Sequence, residues 1–116
     1  MVRLKIRYER QRYILFKIII EPSHMFNKNE FLNKLWSIIW DYYGMNTANK
    51  IGLWLHELDL EHKYGIIQCS HKTKEIIISA LSLIKRIKDK RVIFSPVITS
   101  GTIKKLKEKI PIYING

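Results

Sequence analysis

The feature that most narrows what this chain can fold into is a repeated change of hydrophobic period. Over residues 13–20 the side chains are β-branched or aromatic, with Ile14, Phe16, Ile18 and Ile20 on one face and Lys17 on the other. A period of two with this composition is that of a strand. Glu21-Pro22-Ser23 breaks it, and Asn27 then stands three residues before Glu30, the spacing of a capping box with Asn in place of Ser or Thr. The pattern predicts a helix over 28–43 that stops at Gly44. Residues 51–60 and 64–69 follow as two strands of a hairpin turning near Glu61-His62-Lys63. Over 73–88 the period returns to helical, with Ile76, Ile77, Ala80, Leu81, Leu83, Ile84 and Ile87 on one side. Residues 92–98 form a fourth strand, and Pro96 within it cannot donate to a ladder, so this strand belongs at a sheet edge.

Two strand–helix–strand crossovers of the usual hand turn this order into a split β-α-β arrangement. The expected fold is α+β, ferredoxin-like or RRM-like: a four-stranded antiparallel sheet ordered 4-1-3-2, two helices on one face, and a basic C-terminal helix. With 116 residues, 47% of them hydrophobic, there is material for one core and not for two. Residues 1–12 read as a basic arm, 13–99 as the α/β body, and 100–116 as a basic helix and tail of the same domain. There is no internal repeat, low-complexity tract or linker.

Cys69 is the only cysteine, which excludes an intrachain disulfide, points to a core role, and fits a reducing cytoplasmic setting. The basic arm and the apolar run after it resemble a signal peptide only superficially. Lys17 interrupts the run and Glu21-Pro22 is no cleavage site. No run approaches the roughly 20 apolar residues of a membrane span.

A formal net charge of +11 makes a polyanion the expected partner, nucleic acid first and anionic membrane second. Residues 1–21 carry six Lys/Arg against two Asp/Glu, residues 22–70 four against five, and residues 71–116 eleven against three. Both ends are therefore basic around a near-neutral middle, and folding that joins them would make one footprint. The arm supplies Arg3, Lys5, Arg7, Arg10 and Arg12, and the second half supplies Lys90 and Arg91 before the final helix. Ser100 is the expected N-cap of that helix, with Gly101 and Thr102 leaving first-turn N–H groups accessible to a phosphate. Lys104, Lys105, Lys107 and Lys109 then track a polyanion beside the thin seam of Ile103, Leu106 and Ile110. A merely solvated basic helix is the simpler alternative.

The first helix carries more apolar surface than one sheet should bury. Phe31, Leu32, Leu35, Ile38, Ile39 and Tyr42 form one flank, and Trp36, Trp40 and Tyr43 widen the arc to roughly 200°, about twice a core-facing stripe. The surplus aromatics either pack under the connection after Gly44 or dock another protein. RNA recognition motifs share the expected topology and stack bases on aromatics of the central strands. Here the third strand reads Lys63-Tyr64-Gly65-Ile66-Ile67-Gln68-Cys69, so Tyr13 and Tyr64 are the only stacking candidates, and recognition through charge and shape is favoured.

Catalysis has little support. His24, His56, His62 and His71 lack metal-ligand spacing, and Cys69-Ser70-His71 is a weak signal. Glu57, Asp59 and Glu61 alternate on one face of the second strand, opposite Trp54, His56 and Leu58, and such a trio suits a hard cation in a small metal-dependent nuclease. A solvated strand face accounts for it more simply.

The blocks Arg12-Tyr13-Ile14-Leu15-Phe16-Lys17, Gly65-Ile66-Ile67-Gln68-Cys69, Ala80-Leu81-Ser82-Leu83-Ile84, Lys90-Arg91-Val92-Ile93 and Ser100-Gly101-Thr102-Ile103-Lys104-Lys105-Leu106 together resemble the archaeal ribonuclease P protein component 2 family. The resemblance implies a protein subunit of the ribonucleoprotein that removes 5′ leaders from precursor tRNA, with the cleavage done by the RNA and its Mg²⁺. It implies no catalytic residue, metal or cofactor in this chain. The implied partners are ribonuclease P RNA, a TIM-barrel-like component 3 and other holoenzyme proteins, with no membrane and with a homodimer inside a heterotetramer as one arrangement. RNA contact falls by resemblance on Ser100, Gly101, Thr102, Lys104, Lys105 and Lys107. Gln68, where similar sequences often carry a basic residue, and the acidic trio are departures. A scaffold or ligand-sensing domain whose charge is incidental is the remaining alternative, and it predicts no salt-sensitive RNA affinity.

Overall fold

A computed structural model describes residues 10–114; Arg3, Lys5 and Arg7 lie outside them. The chain runs through β1 (Gln11–Ile19), α1 (Lys28–Ala48), β2 (Trp54–Asp59), β3 (Tyr64–Ser70), α2 (Lys74–Leu83), β4 (Arg86–Ile87), β5 (Lys90–Arg91), β6 (Ile93–Ser100) and α3 (Ile103–Tyr113). The main sheet is antiparallel in the order β2-β3-β1-β6. Counted by its own four strands, that is the expected 4-1-3-2. β6 is an edge, as Pro96 demands. The ladder pairs Leu15 with Ile98 and Phe16 with Pro96, so Val97 is skipped in a bulge beside the proline.

Alternation along β1 sends its side chains to two cores. Ile14, Phe16 and Ile18 face α1 and α2, where they pack with Phe31, Leu35, Ile39, Ile77, Leu81 and Phe94, all at most 2% exposed. Four phenylalanines fill the centre, with Phe31 and Phe94 rings 5.0 Å apart and Phe16 and Phe31 stacked at 5.6 Å. Cys69 is buried in this core as expected, and burial pushes its thiol up to about 11. On the other face Leu15 and Ile66 are fully buried against Leu106 of α3, with Tyr13, Tyr64, Val97, Ile98, Ile103 and Ile110 around them. The domain is thus three layers, α1/α2, sheet and α3.

The capping box forms, Asn27 Oδ1 accepting the Glu30 N–H and Glu30 Oε1 accepting the Asn27 N–H, each at 2.9 Å. Gly44 leaves the helical region at φ 85°, ψ 169°, where glycine alone is unstrained. Beyond this kink a further turn continues to Ala48, capped by the Asn49 N–H on the Met45 carbonyl at 3.0 Å. Two expectations are corrected. The second helix ends at Leu83 and not at residue 88, because Ile84 turns extended (φ −74°, ψ 120°) and Lys88 and Asp89 adopt left-handed backbone between β4 and β5. Ile84 and Ile87 are buried all the same, so their three-residue spacing mimicked a helix. In β2, register slips between Leu55 and Glu57 and His56 is bulged out, which moves Trp54 from the face expected opposite the acidic residues to the face of Glu57 and Asp59.

Candidate nucleic-acid interface

β6 and β1 decide where α3 begins. Ser100 is still in the ladder, opposite Tyr13, so its backbone stays extended and the cap falls two residues later than expected. Thr102 is the N-cap, its Oγ1 accepting the Lys105 N–H at 3.2 Å, and Ser100 Oγ accepts the Thr102 N–H at 3.2 Å. The N–H groups of Ile103 and Lys104 have no intrahelical acceptor, as at any helix start, and the helix dipole adds partial positive charge there.

The start of β1 delivers cations to the same place. Arg12 Nη1 donates to the Gln11 carbonyl at 2.7 Å and lies 3.6 Å from the point a Gly101 Cβ would occupy. Arg10, just before β1, is exposed, as are Gly101, Thr102, Lys104 and Lys105. The Tyr13–Ser100 pairing thus sets Arg12 beside Ser100, Gly101 and Thr102 at one corner of the sheet, with Arg10 two residues before it and Lys104 and Lys105 in the first turn of α3, an arrangement suited to oxyanions of a phosphate backbone.

The remaining predicted cations among the described residues go elsewhere. Lys107 reaches across the sheet to β2, where its Nζ is 3.4 Å from Glu57 Oε1. Lys109 is exposed further along α3, and Lys90 and Arg91 lie on β5, beyond the far end of β6. The single footprint expected from two basic ends is thus divided.

α3 also closes the sheet to base stacking. Tyr13 and Tyr64 pack around the Leu15–Ile66–Leu106 cluster, and Tyr13 meets the His56 ring at 5.6 Å. Burial, followed by Glu57, pushes the Tyr64 hydroxyl up to about 12. Behind them His56 Nε2 and Gln68 Oε1 are 2.6 Å apart, and Gln68 Nε2 donates to Gln11 Oε1 at 2.9 Å.

Because directly paired residues share a face, the His56 bulge puts Trp54, Glu57 and Asp59 together on α3's side, opposite Gln68, Ile66 and Tyr64. Glu61 lies in the turn after β2. Glu57 faces Lys107, while Asp59 accepts the His62 N–H at 2.9 Å and meets His62 Nδ1 at 2.9 Å. The His62 amide, opposed by partial burial, holds the Asp59 carboxyl below its usual range, and the bond to Asp59 raises the His62 imidazole. Among the described residues no three His, Cys, Asp or Glu gather as metal ligands.

The aromatics of α1 separate. Trp36 packs against the core, Tyr43 is half-buried and Trp40 is 51% exposed. Tyr42, assigned by helical phase to the core flank, is 63% exposed. Sequence reasoning passed over Lys85, Arg86 and Lys88, whose basic run was legible but was hidden inside an assumed helix.

Relatives place this geometry in a family. Ribonuclease P protein component 2 of Pyrococcus furiosus is 34% identical over 101 residues, covering 87% of this chain and 82% of that protein. The protein of the same name from Methanocaldococcus jannaschii is 33% identical over 101 residues, 87% of this chain and 72% of its own. A chain in the cryo-EM structure of yeast ribonuclease MRP shares the fold with a TM-score of 0.64 at 16% identity, over 90% of this chain and 94% of that one. Residues 12–111 match the model of the Rpp14/Pop5 family, a span that takes in the sheet, α1, α2 and the basic start of α3, and this chain belongs to that family.

Proposed function

We propose that this chain is an RNA-binding protein subunit of ribonuclease P, supporting removal of 5′ leaders from precursor tRNA in the cytoplasm. The observation that carries the reading is the corner where the capped start of α3 meets Arg12, in a chain whose relatives bear the ribonuclease P name. The RNA subunit performs the cleavage with its own Mg²⁺. Glu57 and Asp59 are engaged by Lys107 and His62, and so do not suit that ion. The chain's part is to hold RNA phosphates at the corner through backbone N–H groups, guanidinium and ammonium, which fixes position without reading bases. Its protein partners are a TIM-barrel-like component 3, docked through Trp40 with Trp36 and Tyr43 behind it, and a second copy within a heterotetramer. No helix among the described residues is long and apolar enough to cross a membrane.

The test is reconstitution with the RNA subunit and component 3. Added chain should raise leader removal, and Lys104→Ala with Lys105→Ala should weaken RNA binding. Each lost phosphate contact flattens the slope of log K against log salt by about 0.7 to 0.9. An unchanged slope in the folded variant would place the RNA elsewhere. Cleavage by the isolated chain would establish instead the autonomous nuclease that the acidic trio suggested.

A further inference from the structure

The segment expected to finish the second helix is instead a basic ribbon. Its ladder sets Arg86 directly opposite Arg91 and Ile87 opposite Lys90, across a two-residue turn with left-handed backbone at Lys88 (φ 55°) and Asp89 (φ 64°). Ile87, 4% exposed, anchors the ribbon in the core, and Lys85, Arg86, Lys88, Lys90 and Arg91 are left on the surface. Like charges directly opposite in a ladder destabilise it. The fold relieves this little. Lys88 pairs with Glu30 at 3.5 Å and Arg86 Nη1 donates to the Asp89 carbonyl at 2.9 Å. Among the described residues neither Arg86 nor Arg91 has a carboxylate partner.

Two adjacent guanidinium forks with spare donors suit the oxygens of phosphates, and the net charge of +11 favours a polyanion over a lone carboxylate. β6 runs from this ribbon to the start of α3, so its seven residue steps of about 3.3 Å hold the two cationic sites roughly 23 Å apart. That exceeds the Debye length of about 8 Å at physiological salt, so each site meets its own phosphates.

We propose that the β4–β5 ribbon is a second phosphate-backbone contact, so that the chain grips folded RNA at both ends of β6. The inference rests on the RNA-binding reading above and adds a separate site to it. The ribbon is the part that makes the chain a clamp between two backbone segments, where α3 alone would be a single point of attachment.

The experiment uses the full chain with the ribonuclease P RNA subunit transcribed alone, titrated by fluorescence anisotropy over a series of salt concentrations. Arg86→Gln with Arg91→Gln should lower the salt slope by about 1.4 to 1.8, two phosphate contacts. Lys104→Ala with Lys105→Ala should lower it independently, and the four changes together should give the sum, since sites this far apart do not couple. Arg91→Glu separates binding from folding. It sets a carboxylate opposite Arg86, so the variant should melt no lower than the parent, yet bind RNA at least about tenfold more weakly.

A lowered slope for the α3 variant with none for the ribbon variant overturns the ribbon and leaves the RNA reading intact. No change in either overturns the RNA reading itself. Ile19 and Ile93, paired in the β1–β6 ladder and 53% and 54% exposed, lie close to Arg91. If the ribbon variant keeps its RNA slope but loses a protein from the reconstituted particle, the ribbon belongs to a protein partner and the proposal fails.

Discussion

At Gly65 one hydrogen atom decides how the sheet meets its core. Gly65 pairs with Phe16, and a Cβ there would overlap the Phe16 ring, its Cε atoms standing 2.7 and 2.9 Å away. That ring is fully buried between Phe31 and Phe94, so it has no room to retreat. Gly65→Ala should cost about 3 kcal/mol and lower the thermal midpoint by more than about 10 °C; a change of only a few degrees by circular dichroism would contradict this packing. The Asp59–His62 turn carries a pH signature. Asp59 is lowered from 3.8, chiefly by the His62 N–H, so its contribution is present above pH 3.8 and is lost as pH falls through the lower folded value. His62 is raised from 6.5, chiefly by its bond to Asp59, so its contribution is full below pH 6.5 and is lost as pH rises through the higher folded value. The turn between β2 and β3 should therefore be tightest from pH 3.8 to 6.5. An NMR titration of the His62 ring should show a midpoint above 6.5 that drops when Asp59 becomes Asn.

α3 is held by one fully buried side chain, Leu106, with Ile103 and Ile110 half-covered beside it. Leu106→Ala should cost about 3 kcal/mol and release the helix, which a rise in amide exchange over Leu15 and Ile66 would report. If those amides stay protected, other contacts hold the helix. Elements with a clean period were legible in the sequence: β1 from its alternation, the start of α1 from Asn27 and Glu30, the edge position of β6 from Pro96. What escaped was set by tertiary pairing. Ser100 has the chemistry of a cap, but its ladder partner Tyr13 keeps it in a strand, and the cap moves to Thr102. Ile84 and Ile87 keep helical spacing while serving a ribbon, and the His56 bulge reassigns a strand face that two-residue counting had fixed. Of the candidate site, residue types and chain position were legible. Which cations meet was not, since Lys107 is drawn away by Glu57 and Lys90 and Arg91 by the length of β6.

Across the whole molecule, charge and exposed aromatics divide the surface into different tasks. The net charge of +11 concentrates polyanions around the chain. Trp40, 51% exposed on α1, is the aromatic proposed above to dock the other subunit. Trp40→Ala should move stability by no more than about 0.5 kcal/mol and should weaken binding to the TIM-barrel-like subunit by about 2 kcal/mol or more. Calorimetry on the folded variant checks both, and a large loss of stability with unchanged affinity would return Trp40 to the core. The coverage of the sheet by α3 has a consequence during synthesis. Every strand leaves the ribosome before α3 does, so a nascent chain carries Leu15 and Ile66 bare until residues 103–113 emerge. The same event seals that apolar surface and completes the helix start beside Arg12. A chain cut short before Ile103 at once lacks the α3 half of the proposed RNA corner and is marked by exposed leucine and isoleucine, the signal by which chaperones and proteases sort unfinished proteins.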